Sequence, residues 1–160
     1  MRHGLDTNVL VYAHLPVFPE SERVRGFLQR SLADDGCRLA LTALVLHEFV
    51  HVVTDARRFD PPVTMAEAVR IAGGYLDRTN VECLAVDERS VRLAFERLDA
   101  RGLGRRRIAD ALLASTLITH GVESIVTCNP ADFAVFEGLE AIDPRRAQSR
   151  NPRTGPRRAR

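Results

Sequence analysis

Short apolar runs alternate with longer stretches in which apolar residues recur every three or four positions, and this alternation continues from residue 1 to residue 143. It predicts strand and helix in turn, an α/β domain built on a mainly parallel central sheet. The brief stretch before Asp6 is the first strand, followed by a helical turn over 8–13. Residues 20–32 place Val24, Phe27, Leu28 and Leu32 on one helical face and stop at the turn Asp34-Asp35-Gly36. A strand is expected over 38–41. Thr42 then N-caps a helix reaching about residue 58, ahead of Asp60-Pro61-Pro62. Thr64, with Glu67 at the capping-box position, opens a helix ending near Asp77. A strand over 83–86 and a helix over 90–100 lead to the most apolar helix, 106–120, which Gly121 ends. A strand over 124–128, a helical turn over 130–136 and a strand over 140–142 complete the pattern.

Charge divides the chain. All 23 basic side chains are Arg, and the formal +2 separates into +7 on residues 144–160 and −5 on residues 1–143. The first 143 residues are therefore expected to form one acidic domain. The last seventeen, with three Pro and no large apolar residue, are expected to be a disordered Arg-rich tail that solubilises or touches phosphate. No apolar run approaches the roughly 18 residues of a membrane span, and MRHGLDTN lacks the apolar core of a targeting segment. A cytoplasmic protein with no membrane partner is expected. Cys37, Cys83 and Cys128 are widely spaced without a C-x-x-C, which predicts small buried hydrophobes, not disulfides or a zinc site.

Four acids stand in unusual places. Asp6 follows the first strand at what should be the carboxyl edge of the sheet, where ligands bind in open α/β folds; the alternative is a helix N-cap. Asp110 is the single charge in Ile-Ala-Asp-Ala-Leu-Leu-Ala-Ser-Thr-Leu-Ile, a helix apolar or small on every side, so its burial demands a partner or a metal. Arg105, Arg106 or Arg107, about one turn earlier, could be that partner, although a solvated basic turn is the first reading of the three. Glu48 lies about 150° from the stripe formed by Leu46, Phe49, Val50 and Val53, between apolar neighbours on the second face; the alternative is an acid at an ordinary solvated helix edge. Asp132 follows another strand end, in Thr127-Cys128-Asn129-Pro130-Ala131-Asp132-Phe133, where it could also cap a short helix. If the four converge, each pair at about 4 Å repels by about 4 kcal/mol at an effective dielectric of 20, and cations must hold them. Oxygen-only donors select Mg²⁺ or Mn²⁺ and suit hydrolysis of phosphodiesters by activated water.

These residues carry a resemblance. With Leu-Asp-Thr-Asn-Val-Leu at 5–10, the Glu of His-Glu-Phe at 47–49, Ile-Ala-Asp-Ala-Leu-Leu-Ala-Ser-Thr at 108–116 and Thr-Cys-Asn-Pro-Ala-Asp-Phe at 127–133, the chain resembles PIN-domain ribonucleases, most closely the VapC toxins of bacterial toxin–antitoxin pairs. The resemblance implies a PIN-like fold over residues 1–143 and a metal site of Asp6, Glu48, Asp110 and Asp132. It implies hydrogen-bonding support from Thr7, Asn8, Thr127 and Asn129. The implied activity is Mg²⁺- or Mn²⁺-dependent endonucleolytic cleavage of RNA leaving 5′-phosphate and 3′-hydroxyl ends. The implied partners are RNA, a cognate antitoxin and a second copy in a homodimer. Two departures stand out: Arg107 occupies a position where the family often has Lys, and His3 and Gly4 make the first strand less apolar.

Two rival readings remain at this stage. His47-Glu48-Phe49-Val50-His51 is formally the H-E-x-x-H of zinc peptidases, but that leaves Asp6, Asp110 and Asp132 unused and supplies no recognisable third ligand. A non-catalytic RNA- or partner-binding module of the same fold is the other, and it gives costly clustered carboxylates no purpose.

Overall fold

The computed structural model describes residues 1–146, and the Arg-rich tail expected over 144–160 lies outside the described residues from 147 onward. Five parallel strands run β1 (Arg2–Leu5), β2 (Arg38–Thr42), β3 (Val81–Leu84), β4 (Ser124–Val126) and β5 (Glu140–Ile142), in spatial order β3-β2-β1-β4-β5. Between them lie α1 (Thr7–His14), α2 (Ser21–Ala33), α3 (Ala43–Val53), α4 (Met65–Leu76), α5 (Glu88–Ala100), α6 (Ile108–Thr119) and the short α7 (Pro130–Phe133). The connections that step from β1 to β2 to β3 carry α1 to α4. Those that step back through β4 to β5 carry α5 to α7. Right-handed crossovers in opposite directions place the two helix groups on opposite faces of the sheet. The helices pack accordingly, α1 with α2 and α3, α3 with α4, and α5 with α6.

The core follows the expected stripes. Leu5, Leu39, Leu41, Ile125 and Val126 from the strands meet Val9, Leu10, Val24, Phe49, Val53 and Leu117 from the helices, all fully buried. Thr42 and Thr64 accept from the N–H groups of Val45 and Glu67 as N-caps, and Gly121 leaves α6 at φ +71°, the left-handed conformation that suits Gly. Gly4 answers a packing need: a Cβ there would stand 2.4 Å from Leu117 Cδ1, so α6 can lie this close to β1 only over Gly. Gly4→Ala is expected to cost about 1–3 kcal/mol by overpacking, measured as a lower denaturation midpoint with an unchanged slope. His3, the other unusual residue of this strand, bonds Ser124 Oγ through Nδ1 at 2.7 Å.

Three local expectations are corrected. The third helix ends at Val53, five residues before the expected stop, because Thr54 Oγ1 donates back to Val50 O at 2.8 Å and Asp55 gathers the Arg57 N–H at 2.9 Å into a turn. β3 begins at Val81 and not at 83, since its register with β2 runs from Leu39↔Val81 to Thr42↔Leu84, and Asp87 is then taken to cap α5. Cys37 and Cys128 are buried as expected, but Cys83 is exposed on the edge strand. At the start of the Arg-rich segment, Arg145 and Arg146 both pair with Asp143.

Candidate active site

Strand order reverses where β1 lies between β2 and β4, and the carboxyl ends of β1 and β4 open there side by side. That is where parallel α/β sheets leave a crevice. Pairing of Leu5 with Val126 brings the next residues, Asp6 and Thr127, to adjacent strand ends, and the Asp6 N–H donates to Val126 O at 3.0 Å. Asp6 occupies the N-cap position of α1, yet its side chain makes no capping hydrogen bond. It turns toward β4 instead. Thr127 Oγ1 donates to Asp6 Oδ2 at 2.7 Å and Asn8 Nδ2 donates to the same oxygen at 2.6 Å, so neither uses Oδ1. Asn8 is itself fixed by the Cys128 N–H, which donates to Asn8 Oδ1 at 2.8 Å.

The other acids are held in the same manner. Thr7, buried at the start of α1, donates from Oγ1 to Glu48 Oε2 at 2.8 Å, drawing the α3 acid toward the end of β1. Asn129 Nδ2 donates to Asp132 Oδ2 across the first turn of α7. Asp132 therefore does not cap that helix. Asp110 sits in the first turn of α6, its side chain 27% exposed, so it is less deeply buried than the apolar sequence around it suggests. Arg107 Nη1 donates to Asp110 Oδ2 at 3.3 Å and also pairs with Asp132 Oδ1. Arg105 and Arg106 are exposed as a basic turn should be, but Arg107 bridges two of the four acids.

Asp6, Glu48, Asp110 and Asp132 line one cleft of about 560 Å³, together with Thr7, Asn8, Arg58 and an apolar wall. Their proximity shows in their ionisation. Burial raises the Asp6 carboxyl to about 6; the Thr127 hydroxyl bond opposes the rise, and Asp110 and Glu48 add to it. Asp110 is also raised, by burial first, with Arg107 opposing and with Asp132 and Glu48 adding. The mutual repulsion means that a cation entering the cleft gains from several carboxylates at once.

The donor set is all oxygen, which fits a hard divalent cation that keeps part of its own water. Among the described residues these acids do not form a closed cage ready for an ion. Arg107, between Asp110 and Asp132, already holds part of the positive charge such a set requires. His47 and His51 are both exposed on α3, which gives the H-E-x-x-H reading no converging ligands among the described residues.

Sequence reasoning did not place Phe18, Phe59 and Arg58 at this cleft. They come from the α1–α2 and α3–α4 connections, about forty residues apart, and no spacing rule joins them. Arg107 did have a signal, its i,i+3 relation to Asp110, but its second contact with Asp132 is tertiary.

Comparison with known proteins gives a consistent picture. A model of the PIN domain matches residues 5–138. The chain is 30% identical over 141 residues to Ribonuclease VapC33 of Mycobacterium tuberculosis, covering 88% of this chain and 96% of that one. It is 37% identical to Ribonuclease VapC43 of the same species over 141 residues, with 84% and 90% covered. Among solved structures, VapBC2 from Rickettsia felis bound to a DNA fragment from its promoter superposes with a TM-score of 0.61 at 21% identity, over 89% of this chain and 98% of that one. FitAcB from Neisseria gonorrhoeae gives a TM-score of 0.62 at 20% identity, with 92% and 100% covered.

Proposed function

The chain belongs to the PIN domain family, and from that premise we propose that it is a divalent-cation-dependent endoribonuclease, the toxic member of a toxin–antitoxin pair. The observation that carries the reading is the meeting in one cleft of four acids, one directly after β1 and the others on α3, α6 and α7, each accepting a hydrogen bond from a neighbouring side chain. Asp6, Glu48 and Asp110, with Asp132 beside them, would hold Mg²⁺ or Mn²⁺. Held there, such an ion would supply activation of water for attack on a phosphodiester and offset charge on the phosphate. Asn8 and Thr127 keep Asp6 turned into the cleft, and Thr7 does the same for Glu48. The products are a 5′-phosphate and a 3′-hydroxyl.

RNA is polyanionic, and residues 1–143 carry a formal −5 against +7 on residues 144–160, so attraction to the cleft cannot come from the net charge of the domain that holds it. Arg107 supplies a local cation at the acids. Its two carboxylate contacts are exchangeable, because neither is deeply buried and such pairs are worth up to about 1 kcal/mol each. Arg107→Ala is therefore expected to tighten Mn²⁺ binding about fivefold in calorimetry while weakening RNA binding. Unchanged affinity for both would remove Arg107 from this role. The acidic cleft also suits the cationic segment of an antitoxin, the partner we assign, with a homodimer as the toxin's own assembly. Among the described residues no helix is long and apolar enough to cross a membrane.

The test is purified full-length chain with total RNA, with Mg²⁺ or Mn²⁺ and with a chelator, read by ligation capture of new 5′-phosphate ends. Discrete new ends that need the cation are expected. Their absence at equal soluble protein overturns the nuclease.

A further inference from the structure

The cleft that holds the acids has a second wall with no part in holding a cation. Val11, Phe18, Val52 and Phe59 line it, with Arg58 at its exposed rim. Phe18 is fixed between two other rings: Tyr12 stacks on it with centroids 4.2 Å apart and planes 8° from parallel, and Phe59 meets it at 6.3 Å and 82°. Phe18 and Phe59 are only half-buried, so the packed triplet still presents ring surface to the cleft. Hydrolysis needs no aromatic wall, and an acidic body needs some affinity for RNA that does not come from charge.

We propose that Phe18 and Phe59 form a nucleobase seat, in which an unpaired base of the RNA strand stacks beside the acids that receive the adjacent phosphodiester. This inference rests on the nuclease reading above. Stacking on an aromatic ring tolerates any base because each has a π-face, and is open only to bases free of a duplex. A cleft of about 560 Å³ lies within the ordinary range for a ligand of nucleotide size. Arg58, loosely paired with Asp55 at 3.6 Å, is placed at the rim to meet the next phosphate. The seat selects single-stranded loops over helices and leaves sequence preference to whatever else lines the path.

The experiment uses the full chain with Phe59→Leu, which keeps apolar bulk but removes the π-face, and Phe59→Tyr, which keeps it. Binding is read by anisotropy of a fluorescein-labelled single-stranded RNA pool and of duplex RNA, in an Asp110→Asn background so that the probe stays intact. Quenching of 2-aminopurine in the single strand reports stacking. Cleavage is measured separately in the chain with Asp110 intact. Phe59→Leu is expected to weaken single-strand binding about tenfold, to leave the salt slope unchanged, to abolish the quenching and to raise KM more than it lowers kcat. Phe59→Tyr should restore the affinity, the quenching and the KM. Matched melting curves separate this from a folding defect.

Equal single-strand affinity in Phe59→Leu, in a chain that cuts RNA, overturns the base seat and leaves the nuclease standing. Intact RNA affinity with lost binding of a protein partner also overturns it and makes the wall a protein dock. A wild-type chain that neither binds nor cuts RNA takes the nuclease reading down, and the base seat with it.

Discussion

Asp6→Asn and Asp110→Asn are each expected to slow RNA cleavage by on the order of 10²–10³-fold while leaving the chain folded, the scale on which removal of one charge-stabilising group acts in a preorganised site. The substitutions are chosen for what they preserve. Both side-chain donors to Asp6, from Thr127 and Asn8, fall on Oδ2, and an Asn amide oxygen can accept both. Arg107 can still donate to the amide oxygen of Asn at 110. What disappears is charge at the point where a cation would sit. Initial rates of cleavage at saturating Mg²⁺, with a thermal melt of each variant, decide the matter. Activity within a few-fold of wild type in both variants sinks the site assignment.

Asp6→Asn should also stabilise the cation-free protein, and by an amount that depends on pH. The Asp6 carboxyl is raised by burial from its ordinary 3.8 to about 6, so the folded chain holds a proton there that the unfolded chain has already released. Between those values the native state binds more protons, and stability falls as pH rises. The contribution is fully present below about pH 4 and is lost above about pH 6. Two units correspond to about 3 kcal/mol at most, or roughly 5–10 °C in Tm for a domain of this size. Other carboxyls have pH dependences of their own. Asp143, for example, is held low, chiefly by its bond from Arg145, and loses its contribution as pH falls. The informative quantity is therefore the difference between Asp6→Asn and wild type. It should grow from pH 4 to pH 7 in chelator and shrink or reverse when Mg²⁺ is added, because the cation binds the folded wild type. A difference that is flat with pH would show that burial of this carboxylate is not what destabilises the chain.

Much of this protein was legible from local order. Period-3.6 and period-2 patterns depend on neighbours in the chain, and they located the helices, strands and caps, including Thr42, Thr64 and Gly121, wherever a backbone rule had a side chain to act on. Errors came at two boundaries, one set by a local side-chain turn and one by a tertiary partner. The stop of α3 at Val53 depends on the Thr54 and Asp55 turn, and the start of β3 on its register with β2.

For the site, sequence alone marked Asp6, Glu48, Asp110 and Asp132 as acids in costly or strand-end positions, because the penalty for charge beside apolar neighbours can be read one segment at a time. Only the tertiary structure decided that Thr127 and Asn8 share one oxygen of Asp6, that Thr7 holds Glu48, and that Arg107 joins Asp110 to Asp132. The same holds for the aromatic wall, whose members come from two connections with no common periodicity. Which residues are chemically expensive is a property of the chain, but which of them meet is set by the crossover topology that opens the crevice between β1 and β4.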